Sequence, residues 1–133
     1  MKSINQITHH YFLQKGLASF FVPQTNSTNT WAKENFNSPF SIYLTDEQTQ
    51  GRGRGKNSWS QALPGSTLLS TWCWELSSLP QPLFPLRVGL ALYESCVLAW
   101  HELPWALKAP NDIYLKDGKW AGLLIEVVST ENK

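Results

Sequence analysis

Between Gln48 and Trp59 the chain reads QTQGRGRGKNSW, so Gly51, Gly53 and Gly55 alternate with Arg52, Arg54 and Lys56 and a tryptophan closes the run. Glycine lets a backbone take positive φ and come close to a ligand. A guanidinium offers a planar fork of donors that fits phosphate or carboxylate oxygens in pairs. Such a stretch has strong reasons to order around an anion, and its plain alternative is a solvated, positively charged surface loop. Two further motifs bear on that choice: Ser27-Thr28-Asn29 upstream, and Lys108-Ala109-Pro110-Asn111-Asp112 downstream, with Lys119-Trp120-Ala121-Gly122 following seven residues after Asp112. Each has an ordinary structural use as well. Ser27 suits a helix N-cap, Asn111 and Asp112 suit a turn after Pro110, Trp59 suits a core, and Lys119 suits a solvated turn.

The bulk composition narrows the chemistry. At 133 residues the chain is long enough for one domain with a buried core. Its formal charge is +1, so no global basic field points to nucleic acid or a membrane surface. Charged residues make up 16% and aromatics 13%, with seven tryptophans, enough large rings to line a pocket as well as a core. Cys73 and Cys96 lie far apart in apolar runs and read as reduced, buried small hydrophobes in a cytoplasmic protein. His9, His10 and His101 make no metal-type spacing with them. No signal peptide or membrane-spanning run is visible.

The elements that must position these motifs follow from periodicity and punctuation. Residues 4–15 are weakly amphipathic. Leu17 to Val22 reads as a short strand ended by Pro23, and Asn26-Ser27-Thr28-Asn29 supplies N-caps for a helix over about 29–36. Ser41 to Asp46 alternates and leads as a strand into the glycine loop. Ser66 to Leu76 reads as a long strand with two tryptophans on one face. Beyond Pro80, Pro82 and Pro85, apolar spacing predicts a helix from Leu86 to about Glu102. Trp105 to Lys108 and Ile113 to Leu115 read as strands, Asp117-Gly118 as a hairpin turn, and Trp120 to Val128 as a continuous apolar strand. The order predicts an α+β fold with a mixed, mostly antiparallel sheet packed with helices.

Taken together, S-T-N, the glycine–arginine loop, P-N-D and K-W-A-G resemble the catalytic domain of biotin–protein ligases, whose pattern reads S-T-N, G-R-G-R-x-G-R-x-W, K-W-P-N-D and K-x-x-G-I-L. The resemblance covers about residues 19–128. It implies the fold shared by biotin and lipoate ligases and class II synthetase cores. It also implies ATP-dependent activation of biotin to biotinyl-5′-AMP, then transfer to a lysine of a biotin carboxyl carrier domain. Joining a carboxylic acid to AMP brings two anions together, and charge-assisted contacts of about 1.5–3 kcal/mol each from Arg52 and Arg54 would offset that repulsion.

The resemblance assigns roles residue by residue. Ser27, Thr28 and Gln48 would hold the ureido ring of biotin, while Gly51 and Gly53 let the loop close. Arg52 and Arg54 would hold the carboxyl and phosphates. Asn29 and Trp59 would border the adenylate, with Trp59 closing over it. Asn111 and Asp112 would sit at the phosphate and Mg²⁺ end, with Mg²⁺ brought by ATP. Lys119 would lie beside the bond being formed, touching both biotin and adenylate.

Three departures stand out. The family tryptophan before Pro-Asn-Asp is Ala109, the loop after Arg54 lacks a further arginine, and the chain stops at Lys133. The family continues with a G-x-G-I-N-V strand and a small barrel-like domain, so residues 1–133 read as a C-terminally truncated catalytic domain with no N-terminal helix-turn-helix. The unpaired edge expected at Trp120–Val128 implies self-association or a homodimer. Other readings are a non-catalytic biotin or small-ligand binding module, a lipoate-type ligase relative, and single-strand nucleic-acid binding by arginine and tryptophan. The net charge of +1 argues against the last of these.

Overall fold

A computed structural model describes residues 1–61 and 63–129. These form two compact units, Met1–Ser77 and Ser78 onward.

In the first unit the elements are α1 (Ile4–Gln14), β1 (Ser19–Thr25), α2 (Thr28–Asn35), β2 (Phe40–Gln48) and β3 (Leu69–Trp74). The sheet order is β1-β2-β3. β1 runs parallel to β2, from Ser19 opposite Ile42 to Thr25 opposite Gln48. β3 runs antiparallel, with Tyr43 opposite Thr71. This is the mixed sheet that the sequence predicts.

β2 is central and fully buried from Ser41 to Thr45. Ile42 and Leu44 are wholly shielded, each contributing about 1.5–3 kcal/mol by burial. Helices cover both faces. Trp31 of α2 meets the Tyr43 ring edge-on at 5.0 Å. On the other face, Phe12 of α1 meets Trp72 at 5.5 Å.

Several boundaries differ from the sequence reading. β1 does not stop at Pro23 but continues to Thr25. It is an edge strand, where a missing N–H costs the ladder nothing. β3 is shorter than Ser66–Leu76, although Trp72 and Trp74 do share a face, 6.3 Å apart beside Phe40. α1 is better anchored than its weak amphipathicity suggests. Ser3 and Gln6 form a reciprocal capping box, Gln6 N–H donating to Ser3 Oγ at 3.1 Å and Ser3 N–H to Gln6 Oε1 at 2.9 Å. Within that first turn, Asn5 is 0% exposed. It donates to Asp46 Oδ1 and to the Thr67 carbonyl, and accepts from Leu69 N–H at 3.0 Å.

In the second unit, α3 (Phe84–Ala99) precedes an antiparallel sheet of β4 (Trp105–Lys108), β5 (Asp112–Leu115) and β6 (Gly118–Gly122). Ile113 is its fully buried strand residue, and Cys96 lies buried in α3. Cys73 of the first unit is only partly covered, contrary to the sequence reading.

The hairpin turn sits one residue earlier than expected. Leu115 pairs with Gly118, so Lys116 and Asp117 make the turn, Lys116 at φ 54°. The apolar run from Trp120 also does not continue as a strand to Val128. Regular pairing ends at Gly122, with one more bond from Leu123 N–H to the Asn111 carbonyl at 3.0 Å. β5 starts only at Asp112, after the Pro110 turn, so its ladder runs out there. Among the described residues no helix is long and apolar enough to cross a membrane.

Candidate functional site

The parallel pairing of β1 and β2 fixes the first part of the site. Because Thr25 lies opposite Gln48, the segments leaving the two strands stay together. Thr49 N–H donates to the Thr25 carbonyl at 3.0 Å and Gln50 N–H to the Asn26 carbonyl at 2.7 Å. The carboxyl ends of neighbouring parallel strands are a common place for a ligand. Here they bring the S-T-N segment against the start of the glycine loop.

Ser27 is the N-cap of α2, its Oγ accepting from Thr30 N–H at 3.1 Å. The ordinary use of this serine is therefore realised, and it coincides with the candidate site. Ser27 also donates to Thr30 Oγ1 at 3.2 Å, and Arg52 Nη2 donates to that same oxygen at 3.1 Å. Thr30 thus ties the helix start to the first arginine of the loop.

Beside it, Thr28 gives both its N–H, at 2.8 Å, and its hydroxyl, at 3.1 Å, to Gln48 Oε1. The hydroxyl of Thr71, on β3, is 2.8 Å from Thr28 Oγ1 and is also hydrogen-bonded to Asn29 Oδ1. Ser27 and Thr28 are 3% and 4% exposed. This is a shielded polar knot, and a site built of buried paired groups discriminates strongly for ligands that can replace those bonds.

The glycine loop is not the featureless segment its sequence suggests. Arg52 and Ser58 form an antiparallel bridge. Trp59 N–H donates to the Gly51 carbonyl, and Gly53 N–H to the Asn57 carbonyl, both at 2.8 Å. The result is a small hairpin with Arg54 to Asn57 at its exposed tip. Gly51 must be glycine, since a Cβ there would lie 2.6 Å from the Trp59 carbonyl oxygen and 3.1 Å from Gln48 Nε2. Gly55 at the tip takes φ +64°, a conformation that costs other residues about 1–2 kcal/mol.

The second unit gathers Asn111, Asp112 and Lys119 on one hairpin. Lys119 Nζ is 3.0 Å from Asp112 Oδ1, both groups part-exposed. Asn111 Nδ2 donates to the Leu123 carbonyl at 2.7 Å, so the asparagine pins the chain after β6. A bulge between Ile113 and Tyr114 sets Lys119 opposite Tyr114 and shifts Trp120 out of register. Trp120 packs edge-on against Trp105 at 5.0 Å.

The structure therefore unites Ser27, Thr28, Asn29, Gln48 and Arg52 in the first unit. Gly51, Gly53, Arg54 and Trp59 lie on the adjoining hairpin, and Asn111, Asp112 and Lys119 lie together in the second unit. Sequence reasoning missed Thr30 and Thr71. Nothing local marks Thr71, because only the β2–β3 register carries it to α2. Thr30 could have been found from the helix, as the residue that returns to the Ser27 cap. Among the described residues no group of three or more His, Cys, Asp or Glu could hold a metal ion.

The sequence model of the biotin/lipoate A/B protein ligase family matches residues 21–133. The chain belongs to that family. It is 33% identical over 129 residues to biotin–protein ligase 1, chloroplastic, of Arabidopsis thaliana, covering 91% of this chain and 34% of the relative. The fold matches the Leishmania major biotin protein ligase solved with biotin at a TM-score of 0.66 and 27% identity, over 84% of this chain and 52% of that one. It matches the Helicobacter pylori biotin acetyl coenzyme A carboxylase synthetase, solved with bound biotinylated ATP, at 0.66 and 26%, over 84% and 56%. This family member thus spans about a third to a half of the length of these proteins.

Proposed function

We propose that this chain carries the catalytic core of a biotin–protein ligase. A biotin carboxylate oxygen attacks the α-phosphorus of ATP and pyrophosphate leaves, giving biotinyl-5′-adenylate. A lysine amine of a biotin carboxyl carrier domain then attacks the acyl carbon, AMP leaves, and the amine loses a proton to form the amide.

The observation that carries this reading is the buried knot of Ser27, Thr28 and Gln48 beside a hairpin that presents Arg52 and Arg54. A ureido ring offers N–H donors and a carbonyl acceptor, and the knot holds both kinds of partner. Groups already bonded to one another give up those bonds only for a ligand that can replace them, which a ureido ring can and an apolar dithiolane ring cannot, and this favours biotin over a lipoyl substrate. Arg52 and Arg54 are fixed positive charges for the carboxylate and α-phosphate, where charge develops in the first step. Lys119 is a further cation to which the family pattern assigns a part in adenylation. Mg²⁺ would arrive with the nucleotide. Asp112 supplies a single carboxylate, which suits an ion held mainly by phosphate oxygens and water.

Native mass spectrometry after incubation with biotin and MgATP tests the reading. The expected result is a bound mass of biotinyl-AMP, with pyrophosphate released only when biotin is present. Biotin bound without any adenylate would reduce the chain to a binding module, and pyrophosphate release independent of biotin would overturn the substrate.

A further inference from the structure

Thr71 lies outside every motif of the family pattern, yet it touches two residues of one of them. Its hydroxyl is 2.8 Å from Thr28 Oγ1 and is also hydrogen-bonded to Asn29 Oδ1. A threonine hydroxyl has one proton and two lone pairs. Thr28 directs its proton at Gln48 Oε1, 3.1 Å away, so toward Thr71 it acts as an acceptor, and the single Thr71 proton is shared between Thr28 Oγ1 and Asn29 Oδ1. In a helix, threonine χ1 divides between two rotamers. With Gln48 on one side and Thr71 on the other, the Thr28 oxygen is held in one of them. Thr71 can do this because it stands on β3 opposite Tyr43 of the buried central strand, a rigid base for a small side chain.

We infer that Thr71 is a positioning residue that aims the Thr28 hydroxyl oxygen at a ligand bearing an N–H donor, which on the proposed function is the ureido group of biotin. This inference rests on that function. It adds a residue on a different element as the one that orients the ureido end of the site. Thr71 acts through Thr28, so its effect belongs to ligand affinity rather than to the rate of adenylation.

Calorimetric titration of the full chain with biotin tests it, using Thr71→Val, which keeps the shape and removes the hydroxyl, and Thr71→Ser, which keeps the hydroxyl. Losing one such hydrogen bond should weaken biotin binding about fivefold to tenfold in Thr71→Val, while Thr71→Ser stays within about twofold of the unaltered chain. In a Thr28→Val background the added Thr71→Val change should cost less than about twofold, because the Thr28 hydroxyl through which Thr71 reaches the ligand is already gone. A biotin analogue methylated on both ureido nitrogens should bind the unaltered chain and Thr71→Val with equal, weak affinity. Should Thr71→Val fail to fold by circular dichroism, Thr71→Ala gives the same readings. Equal biotin affinity in Thr71→Val and the unaltered chain, or fully additive losses with Thr28→Val, would overturn the positioning role and leave the proposed function standing. An unaltered chain that does not bind biotin would overturn both.

Discussion

Ser27 does two jobs with one hydroxyl, and the two can be separated by substitution. Its oxygen caps α2 through Thr30 N–H, while the proposed function also uses it for the ligand. Ser27→Ala should lose both, costing about 1 kcal/mol of stability for the cap and weakening biotin binding. Ser27→Asp keeps a capping oxygen, so it should retain the melting temperature yet still lose biotin affinity. Melting curves beside titrations check this, and an aspartate variant with full affinity would leave Ser27 as a cap alone. Arg52→Ala is expected to lower adenylation by about 10²–10³-fold while changing biotin affinity far less, since its charge acts where negative charge develops. Unchanged pyrophosphate release would remove Arg52 from the mechanism. As candidates these residues were legible in the sequence because glycine–arginine alternation and S-T-N together resemble one family's pattern. Thr71 and Thr30 were not, because each matters only through a partner that folding brings to it, Thr28 for one and Arg52 for the other.

The strands and helices were mostly visible in apolar periodicity, and the misplacements have local causes. Pro23 reads as a strand end unless the strand is known to lie at a sheet edge. Trp120–Val128 reads as a full strand unless its partner is known to begin at Asp112. The capping box of α1 is written in the chain as Ser3-x-x-Gln6, a signal that the sequence reading, resting on the weak apolar face, did not use. Asn5, the polar anchor of that helix, has no sequence signature at all. Asn5→Ala should cost about 1–3 kcal/mol, since it strips partners from the Leu69 N–H and the Thr67 carbonyl. Denaturant titration measures it, and a loss below experimental scatter would show that α1 is held by its rings instead. The glycine hairpin makes a sharper statement about proteolysis than glycine content does. Its base is closed by the Arg52–Ser58 bridge and the Trp59–Gly51 bond. Trypsin should therefore cut the ligand-free chain after Arg54 and Lys56 in preference to Arg52, and biotin with ATP should slow the cutting. Equal rates with and without ligands would indicate a surface hairpin with no part in binding.

Over the whole molecule, a net charge of +1 leaves recognition to local groups, and the candidate groups fall into one polar knot, one basic hairpin and one ion-paired hairpin. Stability should depend on pH through His9, which packs between α1 and β1 with Nδ1 2.8 Å from Ser19 Oγ. Burial, and then the neighbouring His10, hold its pKa below the ordinary 6.5. The unfolded chain therefore takes up a proton first as pH falls, so the stabilisation is present above about pH 6.5 and is lost below it as pH drops toward the lowered folded value. Melting temperatures from pH 7.5 to 5 should fall for the unaltered chain and fall less for His9→Gln; identical slopes would exclude His9. Everything proposed for catalysis rests on biotin entering the knot at Ser27, Thr28 and Gln48, and titration calorimetry of the chain against biotin, repeated with Gln48→Leu, measures that directly. The result expected is one biotin bound per chain, with binding weakened at least about tenfold in Gln48→Leu, where Thr28 loses the acceptor of both its bonds. No binding at millimolar biotin, or equal affinity in the two proteins, would contradict it.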